Sequence, residues 1–266
     1  DFLRAPEPQL EEQRVRFAAV ESTSPVLDSS RPGLSLFFDQ TPTYLEAAKV
    51  HDIPGAIRAR DVHYWVWGWD SWIYGRAHLY AGDTEFVRDL IRLHAAHATE
   101  KYGLIHSFNR QMNIGIRTPW PAQGMFISLV YDYFAFTGDR ALVEEVFPLL
   151  KSIATRILDL EDPDTGIPVE WALFPDNPEQ VGQTGNDLTA FNPGFWYGAL
   201  CGMDHLAGIM NDPIAQRCRR SAKRIETPFI RVFQDPATGP LVDSVDADSR
   251  EARRCFPLWA HTWAYQ

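Results

Sequence analysis

Residues 72–98 decide the fold: Trp72-Ile73-Tyr74-Gly75-Arg76-Ala77-His78-Leu79-Tyr80, then Ala81-Gly82-Asp83, then an apolar-periodic run from Glu85 to Ala98. Apolar residues recur at helical spacing on both sides of a short polar break, which predicts a helix, a tight turn and a returning helix. The figure recurs as 122–136, Thr137-Gly138-Asp139 and 141–160. It recurs again as 195–210, Asn211-Asp212-Pro213 and 214–233, with Pro213 suited to a first helical turn. Each turn carries an Asp placed to accept from the free N–H groups that open the second helix. These aspartates lie 56 and 73 residues apart, the mark of a diverged repeat of helical hairpins.

The links between hairpins are long where the turns inside them are short. Segments 100–120, 161–192 and 234–254 lack sustained periodicity and are rich in Gly, Pro, Asp and Asn; loops of that length in a compact domain are usually functional. Hairpins standing side by side would gather these loops on one rim and the Asp turns on the other. Strand signals are thin, limited to short pieces at 114–117 and around 167–173. The expectation is an all-α toroid segment, with 1–57 leading into a partial barrel at 58–266. The run from Cys255 to Gln266 reads as the opening of a fourth hairpin, so the ring is expected to be incomplete in this chain.

Composition narrows the partners. The 266 residues are 45% hydrophobic and 23% charged, with a net charge of −10, as in ordinary soluble globular proteins. The one basic stretch, Arg217 to Arg224, lies on a helix, which argues against nucleic acid and anionic membranes and for a small polar substrate. No apolar run is long enough to span a bilayer, and localisation stays open with the cytoplasm favoured over secretion. Cys201, Cys218 and Cys255 have no zinc-ligand or disulfide-framework spacing. No cofactor or metal is expected, and the sequence is silent on oligomeric state. His94 and His97 stand at i, i+3 without a carboxylate motif and read as a packed or solvated helix face.

Just before the first hairpin lies Tyr64-Trp65-Val66-Trp67-Gly68-Trp69-Asp70-Ser71-Trp72, four tryptophans and one carboxylate in nine residues. Indole faces stack on the apolar C–H side of a pyranose ring, and a carboxylate among them accepts from neighbouring hydroxyls. The structural alternative is an aromatic helix start in the core, with Asp70 as the N-cap of a helix beginning at Ser71 or Trp72.

Three segments carry a family resemblance. Arg60 to Trp72 is similar to the tryptophan-Asp motif of the six-hairpin (α/α)6 glycoside hydrolases, closest to the group holding trehalases, processing α-glucosidase I and mannosylglycerate hydrolases. Arg117-Thr118-Pro119-Trp120-Pro121-Ala122-Gln123-Gly124 resembles the proline loop that follows it there. Thr184-Gly185-Asn186-Asp187-Leu188-Thr189-Ala190-Phe191-Asn192 resembles the Gly-X-Asp segment whose Asp is the general acid, although the flanking Glu-Ser and Ser-Arg of trehalases are absent.

The resemblance implies inverting cleavage of an α-glycosidic bond in a short saccharide or glycoside. That chemistry needs an acid and a base carboxylate roughly 6.5–9.5 Å apart with a water between base and sugar. Asp187 is the implied acid, with Phe191, Phe195 and Trp196 as apolar surroundings and a turn cap as its structural alternative. Glu170, in Pro168-Val169-Glu170-Trp171, is the rival, since a Glu-Trp pair resembles the acid position of α-L-rhamnosidases. The base is expected beyond Gln266. Asp70 would hold the sugar, Trp67, Trp69 and Trp120 would stack on it, and Arg110, Gln123 and Asn192 would bond its hydroxyls. The alternatives are a sugar epimerase of the N-acylglucosamine type, working through histidines, and a non-catalytic carbohydrate-binding protein.

Overall fold

The computed structural model describes residues 6–23, 28–58, 65–105, 107–109, 118–171, 183–226, 228–234 and 241–253. The helices are α1 (Pro6–Thr23), α2 (Pro32–Ala48), α3 (Gly68–Tyr80), α4 (Thr84–Ala96), α5 (Gly124–Thr137), α6 (Arg140–Leu158), α7 (Phe191–Ile209), α8 (Ile214–Glu226) and α9 (Pro228–Phe233). Short strands punctuate the connections: β1 (Trp65–Trp67), β2 (Ser107–Asn109), β3 (Asp187–Thr189), β4 (Ser244–Asp246) and β5 (Ala252–Arg253). None of the described helices is long and apolar enough to cross a membrane.

Side-chain pairing fixes the helix directions. Along α3 and α5, Trp72 meets Phe126 with ring centroids 6.1 Å apart, Gly75 faces Leu129, Arg76 bridges Asp132 at 2.7 Å, and Tyr80 meets Phe136 at 5.6 Å. The partners ascend together, so α3 and α5 are parallel. Between α5 and α7, Gly124 abuts Phe195 and Ala199, Ser128 abuts Gly198, and Tyr131 abuts Gly202 and His205, again in rising order. Glycine is needed here because a Cβ on Gly124 would stand 3.0 Å from the Phe195 carbonyl oxygen, and one on Gly202 2.9 Å from Tyr131 Cβ. Helices α4, α6 and α8 form a second layer, each returning antiparallel to its hairpin partner.

Between the layers runs one apolar core that includes Trp72, Leu79, Leu90, Phe126, Val130, Leu150, Ile153, Trp196 and Met203. Each such side chain contributes about 1.5–3 kcal/mol on burial, so packing rather than intrinsic propensity holds the hairpins. Three of the five cations in the basic stretch of α8 pair within the chain: Arg217 with Asp159 at 3.1 Å, Arg219 with Asp204 at 2.9 Å, and Arg224 with Glu161 at 3.6 Å.

The three helix pairs follow the expected hairpins; within 214–233 the described helices are α8, ending at Glu226, and α9, starting at Pro228, with 227 outside the described residues. The turn aspartates do not all cap. Asp139 Oδ1 accepts from Leu142 N at 3.1 Å and Asp212 Oδ1 from Ile214 N at 3.0 Å, but Asp83 makes no cap and turns its carboxylate to Lys49 and His78.

Residues within 1–57 supply α1 and α2, which pack together, and α2 lies against α3. From Lys49 the chain runs past the middle of α4, where Gly55, at φ +77°, leaves no room for a Cβ beside Asp89 and Leu90, and Arg58 then bridges Val66 of β1. β1 pairs antiparallel with β2, and β3, β4 and β5 form an antiparallel sheet in that order. Of the expected β pieces, Pro168 and Val169 make bridges to Glu161 and Leu188, and 114–117 lies outside the described residues.

Candidate functional site at the N-terminal rim

Because α3, α5 and α7 are parallel, their N-terminal ends share one rim, and the long connections reach it. α3 starts at Gly68, earlier than the sequence suggests, with Trp67 as its flanking residue. Asp70 is therefore within the first helical turn rather than at the N-cap, where a carboxylate complements the helix dipole. Ser71 is fully buried and donates its hydroxyl to the Trp67 carbonyl at 2.7 Å, fixing the sharp passage from β1 into α3.

Trp67, Trp69 and Asp70 are all half-buried. Trp69, like Met125 of α5, packs against the cluster of Ala122, Phe191 and Phe195, which joins the approach to α5 with the start of α7. Trp72 is different in kind, 1% exposed, edge-on to His94 and Phe126 within the core.

Trp120 also belongs to the core. Its ring lies against Gly103, where φ is +63° and a Cβ would stand 2.7 Å from the indole, and the Arg156 guanidinium sits 5.7 Å from its centroid. Gln123 is fully buried and its amide is engaged by backbone: Oε1 accepts from Leu104 N at 2.9 Å, and Nε2 donates to the carbonyls of Tyr102 at 2.9 Å and Thr118 at 3.2 Å. It ties both ends of the 100–120 connection to the start of α5. Arg110 lies outside the described residues.

Asp187 and Glu170 come together from one long connection. Glu170 N donates to the Asp187 carbonyl at 3.0 Å, and Val169 bridges Leu188. The Asp187 side chain is fully buried, and its Oδ2 accepts from Thr184 N at 2.6 Å and Gly185 N at 3.0 Å. Gly185, at φ +88°, permits that turn. Glu170, 8% exposed, accepts from Trp120 N at 3.1 Å, while its carbonyl takes Asn192 Nδ2 at 3.0 Å. Asn192 is fully buried in the first turn of α7. Of the apolar neighbours expected for Asp187, Trp196 faces the core and donates to Glu161 at 3.2 Å.

One buried carboxylate at this rim escaped the sequence reading. Asp243, 4% exposed, precedes β4, and its carbonyl accepts from Ala190 N at 2.8 Å, just where α7 begins. Nothing in its surroundings, Leu241-Val242-Asp243-Ser244-Val245, separates it by pattern from the other loop aspartates; only the β3–β4 pairing brings it there.

Three of the described histidines lie elsewhere: His94 is in the core, His78 lines a cavity beside the Asp83 turn, and His205 meets Tyr131 edge-on and lies tilted against Phe134. Among the described residues, no three His, Cys, Asp or Glu side chains gather as a metal would require.

No family model and no curated protein matches this chain by sequence. Solved structures do match. A rhamnosidase from Klebsiella oxytoca with rhamnose bound aligns with TM-score 0.67 and 16% identity over 91% of this chain and 45% of its own. Mannosylglycerate hydrolase from Thermus thermophilus in complex with glucose aligns with TM-score 0.58 and 14% identity, covering 84% of this chain and 71% of its own. A Streptococcus pneumoniae member of a family of metal-independent α-mannosidases, in a non-productive complex with α-1,6-mannobiose, gives TM-score 0.56 and 14% identity over 81% and 65%. The chain thus spans less than half of the rhamnosidase, and its paired helices share the (α/α) toroid fold of these structures.

Proposed function

We propose that this chain forms part of the catalytic domain of a glycoside hydrolase that cleaves an α-glycosidic bond in a short saccharide or glycoside with inversion. Asp70 holds the sugar at the cleavage subsite, Trp67 and Trp69 flank it, and Asp187 donates the proton to the leaving oxygen. Residues 58–266 belong to that domain, and the base comes from outside this chain's described residues. Trp69 supports the reading: it is a half-buried indole next to Asp70 that packs against the cluster of Ala122, Phe191 and Phe195, where the chain enters α5 and α7. The toroid likeness to three proteins named for acting on, or bound to, sugars supports the same class.

Gln123 and Trp120 serve this site by holding the 100–120 connection rather than by touching sugar, since their contacts are with backbone and core. Asn192 orients the Glu170 backbone. The test is proton NMR of the full-length protein with a panel of α-glucosides, α-mannosides and α-rhamnosides. Initial release of the β-anomer from one of them supports the reading. Release of the α-anomer refutes inversion, and binding without turnover across the panel refutes hydrolysis.

A further inference from the structure

We propose that the α1–α2 pair is held on the helical arc by a charge latch that opens on mild acidification, with His78 as its proton sensor. Asp83 is the turn aspartate that does not cap its helix. Its Oδ2 instead takes Lys49 Nζ at 2.7 Å and His78 Nδ1 at 3.1 Å. Lys49, one residue past α2, also reaches Glu46 Oε2 at 2.7 Å, so one ammonium joins a carboxylate on α2 to a carboxylate on the α3–α4 turn. Apolar contact beside it is partial: Leu45 is buried and Ala48 packs against the main core, but a cavity of about 350 Å³ lies among Val20, Pro42, Leu45, His78 and the Ala81-Gly82-Asp83 turn. Large side chains of α2 such as Phe37 and Tyr44 point outward, about 70% exposed.

His78 is 1% exposed and fits this arrangement only when neutral. Nδ1–H donates to Asp83, while Nε2 is buried with no hydrogen-bond partner. Protonation would put a donor without an acceptor inside and a second cation on the oxygen that already holds Lys49, a costly combination. The other charges facing it are Glu46 and Lys49 from α2; Arg16 of α1 and His51 face Glu46 at 3.9 and 3.7 Å, and α4 contributes only the Phe86 ring, 4.4 Å away. Burial lowers the His78 pKa below its ordinary value, more than the Asp83 bond raises it. Asp83, despite burial, is brought down to about 2 by its bonds to His78 and Lys49, so it stays ionised throughout the range concerned. Undocking α1–α2 hydrates His78 and restores its ordinary affinity for protons. The docked state therefore binds fewer protons, is favoured above about pH 6.5, and loses that advantage as pH falls below it.

Hydrogen exchange read by mass spectrometry at pH 7.5, 6.5 and 5.5, corrected for intrinsic rates, tests this. Protection of 32–48 relative to α5 and α6 should fall by up to about tenfold per pH unit below 6.5. His78→Asn, which keeps a donor toward Asp83 but does not titrate, should abolish that dependence. Lys49→Gln should release α1–α2 already at pH 7.5 while α5 and α6 stay protected. A pH-independent parent, a His78→Asn variant that keeps the parent's profile, a His51→Gln variant that flattens it instead, or a Lys49→Gln variant that stays docked each overturns the latch. None of these readouts depends on glycosidase activity.

Discussion

Glu170 donates its backbone N–H to the carbonyl of Asp187 at 3.0 Å, so the two carboxylates that compete for the role of proton donor hang from adjoining, paired segments of backbone. Their side chains diverge in partner. Asp187 closes the 184–187 turn, and Glu170 holds the start of the Trp120 segment. In the full-length protein, Asp187→Asn should lower kcat by about two to four orders of magnitude with sugar binding retained. Glu170→Gln should cost less than about tenfold. Steady-state kinetics beside a binding isotherm separates the two, and the reverse ranking would hand the donor role to Glu170.

Gln123 joins three backbone groups, two buried and one half-buried, from two ends of one connection. Gln123→Leu leaves all three without a partner. At about 1–3 kcal/mol for each unmet buried group, partly relieved by rearrangement, the expected loss is about 2–4 kcal/mol in urea unfolding. A loss below about 0.5 kcal/mol would mean the connection is held by other contacts.

The helix interface makes opposite forecasts for two glycines of α7. Gly202→Ala places a methyl 2.9 Å from Tyr131 Cβ and should destabilise by about 1–3 kcal/mol through overpacking. Gly208 has nothing within 4 Å of its Cβ position, and Gly208→Ala should stabilise by about 0.5–1 kcal/mol from helix propensity alone. Paired thermal melts give both signs in one experiment.

Full burial, helped by the nearby His97, brings His94 down to a pKa of about 3. The folded state thus binds this proton far less readily than the unfolded chain. Its contribution to stability is whole above about pH 6.5 and is lost as pH falls toward 3. Between pH 6.5 and 4.5 the loss should be about 2–3 kcal/mol. His94→Leu should flatten that limb of the stability curve. An unchanged slope would place the acid sensitivity in other groups.

The hairpins were legible because each buries one stripe of a 3.6-residue period and turns on Gly and Asp, both local properties. Which side chains seat one hairpin on the next was not, since it depends on which stripes meet: Trp72 with Phe126, Gly75 with Leu129, Tyr131 with Gly202. The same distinction divides the site. The cluster at 64–72 announces itself by composition. Trp120 and Gln123, by contrast, read as sugar contacts from residue type, yet one is core and the other a backbone clamp.

Sequence alone determined that this chain is a diverged set of helical hairpins with an aromatic, carboxylate-bearing segment ahead of the first, because periodicity, capping and composition are written residue by residue. Only the tertiary structure decided which carboxylates converge on the start of α7, and that Asp83 ties down α2 instead of capping α4. Those outcomes arise from strand pairing, burial and ion pairing between residues far apart in the chain, where the partner rather than the residue sets the role.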